Sequence, residues 1–152
     1  MTIQVGDSIP DFELLDQKGH TVRFFDLYQK SPIVLYFYPK DDTPGCTTES
    51  CTFRDQYEDF KEAGAIVVGI SSDSPGSHLK FAAKHRLPFT LLSDTEGQVR
   101  KLFGVSSTLG LLPGRVTYVI NRSGIVRHVF SSQFNPRKHV AEALRVLKSM
   151  GE

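Results

Sequence analysis

Between Pro32 and Pro39 the chain reads Ile-Val-Leu-Tyr-Phe-Tyr, its longest uninterrupted apolar run. β-Branched and aromatic residues without polar alternation predict a strand buried on both faces, in the middle of a parallel or mixed sheet covered by helices. A sheet with one wet face would alternate instead. A second such run, Ala65 to Ile70, follows a helical stretch from Thr48 to Ala63, with Gly64 suited to the helix C-terminal cap. Strand, helix and strand make a β-α-β unit. The C-terminal end of its first strand delivers residues 39 to 51.

Turn signals divide the rest of the chain. Phe12 to Phe25 carries two short apolar-rich runs around Asp16-Gln17-Lys18-Gly19, the composition of a peripheral β-hairpin. Pro75 to His85 is predicted helical, Pro88 to Leu92 a short strand and Thr95 to Phe103 a helix. Val116 to Ile120 and Ile125 to Phe130 form a second hairpin around Asn121-Arg122-Ser123-Gly124. Pro136 to Met150 has the spacing of a closing amphipathic helix. The 152 residues, with 39% hydrophobic content and 11 phenylalanines, suit one domain over residues 1–152. The fold class expected is α/β, a central mixed sheet with helices on both faces and an added N-terminal hairpin.

Eighteen basic and seventeen acidic side chains leave a formal charge of +1, and the basic residues are scattered. Neither a nucleic-acid partner nor an anionic membrane is implied. The N-terminus MTIQVGDSIP has no basic leader or apolar signal segment, so a cytoplasmic protein is expected, or an organellar one if a transit peptide has been removed. The two cysteines, Cys46 and Cys51, are too few for a stapled secreted scaffold and fit a thiol with a task in a reducing compartment.

Both lie in residues 39 to 51, PKDDTPGCTTESC. Thr43 is a favoured helix N-cap, and Pro44 costs nothing at the first helical position. Cys46 then falls in the first turn, where unpaired N–H groups and the positive end of the helix dipole favour a thiolate. The same donors can hold an oxygen-bearing substrate beside the sulfur. Cys46 is thus placed as a nucleophile, against the alternative of an inert thiol near a helix end.

Pro39, Thr43 and Cys46 reproduce a Pro-x-x-x-Thr-x-x-Cys signature, and the fuller wording Phe37-Tyr38-Pro39, Thr43-Pro44-Gly45-Cys46-Thr47 and Glu49 resembles the peroxiredoxins of the Q subfamily, also called bacterioferritin comigratory proteins. Val5-Gly6-Asp7, Pro10-Asp11-Phe12, Gly69-Ile70-Ser71, Leu91-Leu92-Ser93-Asp94 and Gly114-Arg115-Val116 extend the resemblance over nearly the whole chain. It implies a thioredoxin-like fold and a thiol peroxidase acting on hydrogen peroxide and alkyl hydroperoxides, without a cofactor or metal. The implied reductant is thioredoxin or a similar dithiol donor, and the implied state a monomer.

The resemblance makes Cys46 the peroxidatic cysteine and Cys51, five positions later, the resolving one. Thr43 would orient the peroxide through its hydroxyl. Arg115 would reach in from the neighbouring strand to keep the sulfur ionised and hold the peroxide oxygens. Pro39 and Pro44 would shield the sulfur, Gly45 lies within the signature, and Glu49 would orient the network. The residues by themselves leave plainer readings open: a solvated helix-face carboxylate for Glu49, a surface arginine after a Pro-Gly turn for Arg115, a buried helix-face thiol for Cys51.

Other chemistries fit less well. A thioredoxin-type dithiol oxidoreductase would show Cys-x-x-Cys, whereas this chain has Cys-x-x-x-x-Cys. A zinc or iron site would need more ligands nearby, and His20 and His78 have no spacing that pairs them with the cysteines. A cysteine hydrolase would need a positioned histidine, with His85, His128 and His139 the weak candidates. A redox-sensing binding module that keeps only the fold has no physical need of an arginine aimed at a thiolate.

Overall fold

The computed structural model describes residues 2–105, 107–108, 112–132 and 135–150. In chain order its elements are β1 (Glu13–Asp16), β2 (Thr21–Arg23), α1 (Phe24–Tyr28), β3 (Ile33–Phe37), α2 (Pro44–Asp55), α3 (Tyr57–Glu62), β4 (Ile66–Ser71), α4 (Pro75–His85), β5 (Thr90–Ser93), α5 (Gln98–Phe103), β6 (Ser107–Thr108), β7 (Leu112–Pro113), β8 (Val116–Ile120), β9 (Val126–Ser131) and α6 (Pro136–Met150). Seven strands form one sheet in the order β2-β1-β5-β4-β3-β8-β9, and β6 pairs with β7. β3, β4 and β5 run parallel, while β8 lies antiparallel to β3 with Phe37 opposite Val116.

The apolar run becomes the central strand β3, with every residue from Ile33 to Phe37 wholly buried. Its side chains alternate between two cores. Val34, Tyr36 and Tyr38 face one packed by Phe53 of α2, Phe60 of α3, Phe81 of α4 and Val140 of α6. Ile33, Leu35 and Phe37 face the other, closed by Phe24 of α1 and Val99 and Phe103 of α5. This two-sided cover is why the run needed no polar alternation, and it is the helix-flanked mixed sheet of a thioredoxin-like fold. The added hairpin is β1 and β2 at the sheet edge.

Several boundaries differ from the sequence expectation. The hairpin stops at Arg23: Phe24 turns into α1, where it is buried and stacks on Phe12 at 4.7 Å, while Asp11 accepts a hydrogen bond from the Phe25 N–H. The helix read from Thr48 to Ala63 begins earlier, at Pro44, and breaks at Gln56 (φ −104°, ψ 12°). The break lets Phe53 and Phe60 meet in one core, 5.5 Å apart. Gly64, with φ +81°, closes α3 in the left-handed conformation that suits glycine. α5 begins at Gln98, and Asp94, at the end of β5, caps it by accepting from the N–H groups of Val99 and Arg100.

Candidate active site

The two cysteines lie on α2, which starts just beyond the C-terminal end of β3. Thr43 takes the extended backbone of an N-cap with Pro44 as the first helical residue. Its carbonyl accepts the first helical bond, from Thr47 N–H at 2.8 Å. Its hydroxyl does not cap the helix; it donates to the Lys40 carbonyl at 2.9 Å. The oxygen lone pairs are left as acceptors. Gly45 and Cys46 sit in the first turn, where N–H groups have no intrahelical acceptor.

Cys46 is 0% exposed. Arg115, immediately before β8, reaches it because β8 is the strand beside β3. The Arg115 Nη2 lies 3.3 Å from the Cys46 Sγ, and its Nη1 donates to Glu49 Oε1 at 2.7 Å. The guanidinium is 4% exposed and the Glu49 carboxyl 0%, so sulfur, cation and carboxyl form one dry cluster. Burial works against the Arg115 charge, but Glu49 and Cys46 outweigh it and hold the guanidinium above its ordinary range. Burial pushes the Glu49 carboxyl up to about 8, with Arg115 pulling the other way. The solvated readings of Glu49 and Arg115 are therefore excluded.

Gly45 explains the close approach. A Cβ there would lie 2.9 Å from Arg115 Nη2, and that guanidinium is fixed by Glu49 and the sulfur. Gly45→Ala is expected to leave thermal stability within about 1 kcal/mol, since helix propensity gains roughly what the clash costs. It should slow reaction of the Cys46 thiol with an electrophile by about tenfold or more as the guanidinium is displaced. A variant with parental kinetics would show that the arginine needs no such clearance.

The remaining expected residues are less central. Cys51 is half-buried one turn and a half along the same helix, and both thiols are free. Pro39 is half-buried, whereas Pro44 is exposed at the helix start. Phe37 and Phe103 belong to the core on the far side of the sheet, and Phe81 is wholly buried.

Two partners escaped the sequence reading, which weighed His139 only as a weak hydrolase candidate. His139 of α6 is 0% exposed; its Nε2 lies 2.7 Å from the Ser132 carbonyl and its Nδ1 2.8 Å from Thr117 Oγ1. The same Nδ1 is 3.6 Å from Glu49 Oε2, an oxygen with no hydrogen-bond partner among the described residues. Burial lowers the His139 pKa to about 4, so the ring is neutral. Arg100 of α5 donates to the carbonyls of Gly114 (3.0 Å) and Tyr38 (3.1 Å), tying the approach to Arg115 to the end of β3. The only signal for His139 was a histidine on the core face of an amphipathic helix, and for Arg100 there was none.

A second buried polar group braces the loop that precedes α2. Asp41 accepts from Tyr38 at 2.6 Å and Ser77 at 2.9 Å and lies 2.7 Å from His78 Nδ1, while Asp73 accepts from the Asp41 N–H. Asp41, Asp73 and His78 have ligand atoms within 4.8 Å of one another, and both Asp41 oxygens and Asp73 Oδ2 already accept hydrogen bonds. The hollow lined by Gln29, Lys30, Pro32, Gly64, Asn121 and Arg122 lies at the opposite end of β3 from the sulfur. No helix among the described residues is long and apolar enough to cross a membrane.

Residues 5–129 match the model of the AhpC/TSA family. The chain is 53% identical over 146 residues to the chloroplastic peroxiredoxin Q of Sedum lineare, covering 95% of this chain and 78% of that protein. It is 51% identical over 149 residues to the chloroplastic peroxiredoxin Q of Populus jackii, covering 97% and 70%. Among solved structures, the peroxidoxin BcpB of Mycobacterium tuberculosis superposes with a TM-score of 0.91 at 42% identity, covering 97% of this chain and 98% of that one. A PrxQ variant from Xylella fastidiosa also gives 0.91, at 30% identity, covering 100% and 99%. With its thiol, arginine and carboxyl gathered at the end of the central strand, the chain belongs to the AhpC/TSA family and is a thiol peroxidase of the peroxiredoxin Q kind.

Proposed function

We propose that Cys46 is the attacking thiolate, Cys51 its resolving partner, and thioredoxin or a similar dithiol donor the source of electrons. The observation that carries this reading is the buried 3.3 Å contact between Arg115 and the Cys46 sulfur. The sulfur attacks one oxygen of hydrogen peroxide or an organic hydroperoxide and the O–O bond breaks. The OH stays on sulfur as a sulfenic acid, and the departing oxygen takes up a proton and leaves as water or an alcohol. The Cys51 thiol then displaces water from the sulfenic acid, giving a disulfide that the donor reduces. Thr43 accepts from the peroxide O–H through the lone pairs its bond to Lys40 leaves open, and Arg115 holds the oxygens as their bond stretches. All four residues come from one chain, which suits a monomer. A reducing compartment, cytoplasm or organelle, suits the reductant. The test is consumption of peroxide coupled to oxidation of thioredoxin. Turnover that needs both cysteines supports the reading, and peroxide loss indifferent to thioredoxin would overturn it.

Arg115 contributes geometry as well as charge. Arg115→Ala is expected to lower kcat/KM by about 10²- to 10³-fold. Arg115→Lys should recover little of this, because an ammonium cannot serve sulfur, carboxyl and peroxide with a fixed fork of donors. Rates are to be compared at a pH where Cys46 is ionised in every variant. A lysine variant at the parental rate would reduce the role of Arg115 to its charge.

A further inference from the structure

The ladder between β3 and β8 ends at the pair Phe37 and Val116. Past it, Tyr38 turns its N–H to the Ile70 carbonyl of β4, and the Arg115 carbonyl accepts from the Ser132 N–H beyond β9. A guanidinium spans the two strand ends. Arg100 of α5 donates from Nη1 to the Gly114 carbonyl at 3.0 Å and from Nη2 to the Tyr38 carbonyl at 3.1 Å. Tyr38 and Gly114 are both buried, so their carbonyls need a donor inside the protein, and one rigid planar fork supplies both.

The base of this fork is fixed as well. The N–H groups of Val99 and Arg100 are held by the Asp94 carboxylate, and the guanidinium lies 5.6 Å from the centre of the Phe37 ring. Three elements present titratable groups to it: Asp94 at the end of β5, Tyr118 of β8 and Cys46 of α2. Burial holds the guanidinium below its ordinary range, against the upward pull of these three groups. An arginine remains a cation even so.

The two carbonyls lead to the two halves of the site. Past Tyr38 the chain enters Pro39 and runs through Thr43 into the turn of α2 that carries Cys46. Past Gly114 stands Arg115, whose nitrogens serve Glu49 and the Cys46 sulfur. Resting on the reading of Cys46 as the attacking thiolate, we infer that Arg100 is a positioning residue of the peroxidase site: by bridging the Tyr38 and Gly114 carbonyls it fixes the separation between the Thr43 loop and Arg115, and so the space in which a peroxide meets the sulfur. A misplacement of about 1 Å between such groups can cost about a hundredfold in rate, so a bridge at the strand ends carries a large effect without touching the substrate.

The experiment compares Arg100→Met and Arg100→Lys with the parent, each carrying Cys51→Ser so that one thiol reacts. Methionine keeps an unbranched apolar stem and removes the charge and both donors. Lysine keeps the charge, but one nitrogen replaces two that a plane holds apart. Single-turnover rates with hydrogen peroxide are divided by alkylation rates with iodoacetamide, at a pH where Cys46 is ionised in every variant. Alkylation needs the thiolate but not the oriented donors, so the ratio is expected to fall about tenfold or more in both variants. In parallel, the Arg115 guanidinium N–H signals, identified in NMR spectra by their loss in Arg115→Ala, should exchange with water about tenfold faster or more in both. A parental ratio in either variant would overturn the inference, in Arg100→Lys by reducing the residue to its charge. Arg115 signals that exchange no faster than in the parent would overturn it too. If Arg100→Met does not fold, Arg100→Lys decides alone. The exchange measurement uses no peroxide, so failure of the peroxidase reading, seen as peroxide reduction surviving Cys46→Ser, would be recognised separately.

Discussion

Cys46→Ser is expected to abolish peroxide reduction, while Cys51→Ser still reduces one equivalent of peroxide and then stalls. The first expectation rests on chemistry that no neighbour can supply. Cys46 is the thiol held by Arg115 at the start of α2, and a serine hydroxyl cannot be oxidised to the next step. Enzymes commonly supply at least about a millionfold in rate. A thiol of ordinary pKa is already a few per cent ionised at neutral pH, so full ionisation contributes only about tenfold to thirtyfold. Most of the acceleration must come from oriented donors around the sulfur, and all of it is lost with the nucleophile. Among the described residues the bonds of Arg115 go to Glu49 and the Cys46 sulfur, and Cys51 is half-buried. Its serine variant should therefore show a normal first turnover, a trappable sulfenic acid and little thioredoxin-supported cycling. Stopped-flow measurement of that first turnover separates the roles, and an equal deficit in both variants would sink the division.

The parts of this site that the sequence disclosed are those fixed by local chemistry. The run after Pro32 could only be a two-sided strand, and Thr43-Pro44 could only start a helix, so the placement of Cys46 in a first turn was readable from thirteen residues. α6 was found with its bounds because its apolar face repeats over fifteen residues. What local chemistry does not fix is which strand lies beside which. Arg115 meets Cys46 only because β8 pairs with β3, a contact across 69 residues that the family resemblance supplied and periodicity could not. The break at Gln56 carries no glycine or proline and follows from the packing of Phe53 and Phe60. Thr43 was expected as the N-cap and takes that place, with its hydroxyl turned to the Lys40 carbonyl rather than to the helix. His139 lies on the buried face of α6, where one imidazole among valines, alanines and leucines does not disturb the amphipathic pattern.

Oxidation is expected to unwind the first two turns of α2 and to lower the melting temperature. Both cysteines lie on one continuous helix with their thiols free. Five residues along a helix separate Cα atoms by roughly 8 to 9 Å, on faces about 140° apart. A disulfide needs Cα atoms within about 7 Å, so the bond cannot form on the intact helix. The helix is suited to give way, since Gly45, Thr47, Thr48, Ser50 and Thr52 are all poor helix formers and buried contacts hold it instead. Unwinding forfeits the burial of Cys46, Glu49 and Ser50, the 2.8 Å bond between Ser50 and Tyr36, and both Arg115 contacts. Phe53, stacked on Tyr36 at 4.6 Å, sets the far limit, because withdrawing that ring would cost about 3 to 5 kcal/mol. Closing so short a loop returns only about 2 kcal/mol through the unfolded state. Several lost helical hydrogen bonds at about 1 kcal/mol each exceed that. A net loss of about 2 kcal/mol lowers Tm by roughly 4 to 8 °C for a chain of this size. Hydrogen exchange should therefore accelerate across residues 43 to 52 on oxidation and remain slow from Phe53 onward, and melting curves should place the disulfide form below the dithiol form. An oxidised protein that melts higher, with the α2 amides as protected as before, would mean that the two sulfurs meet without unwinding the helix.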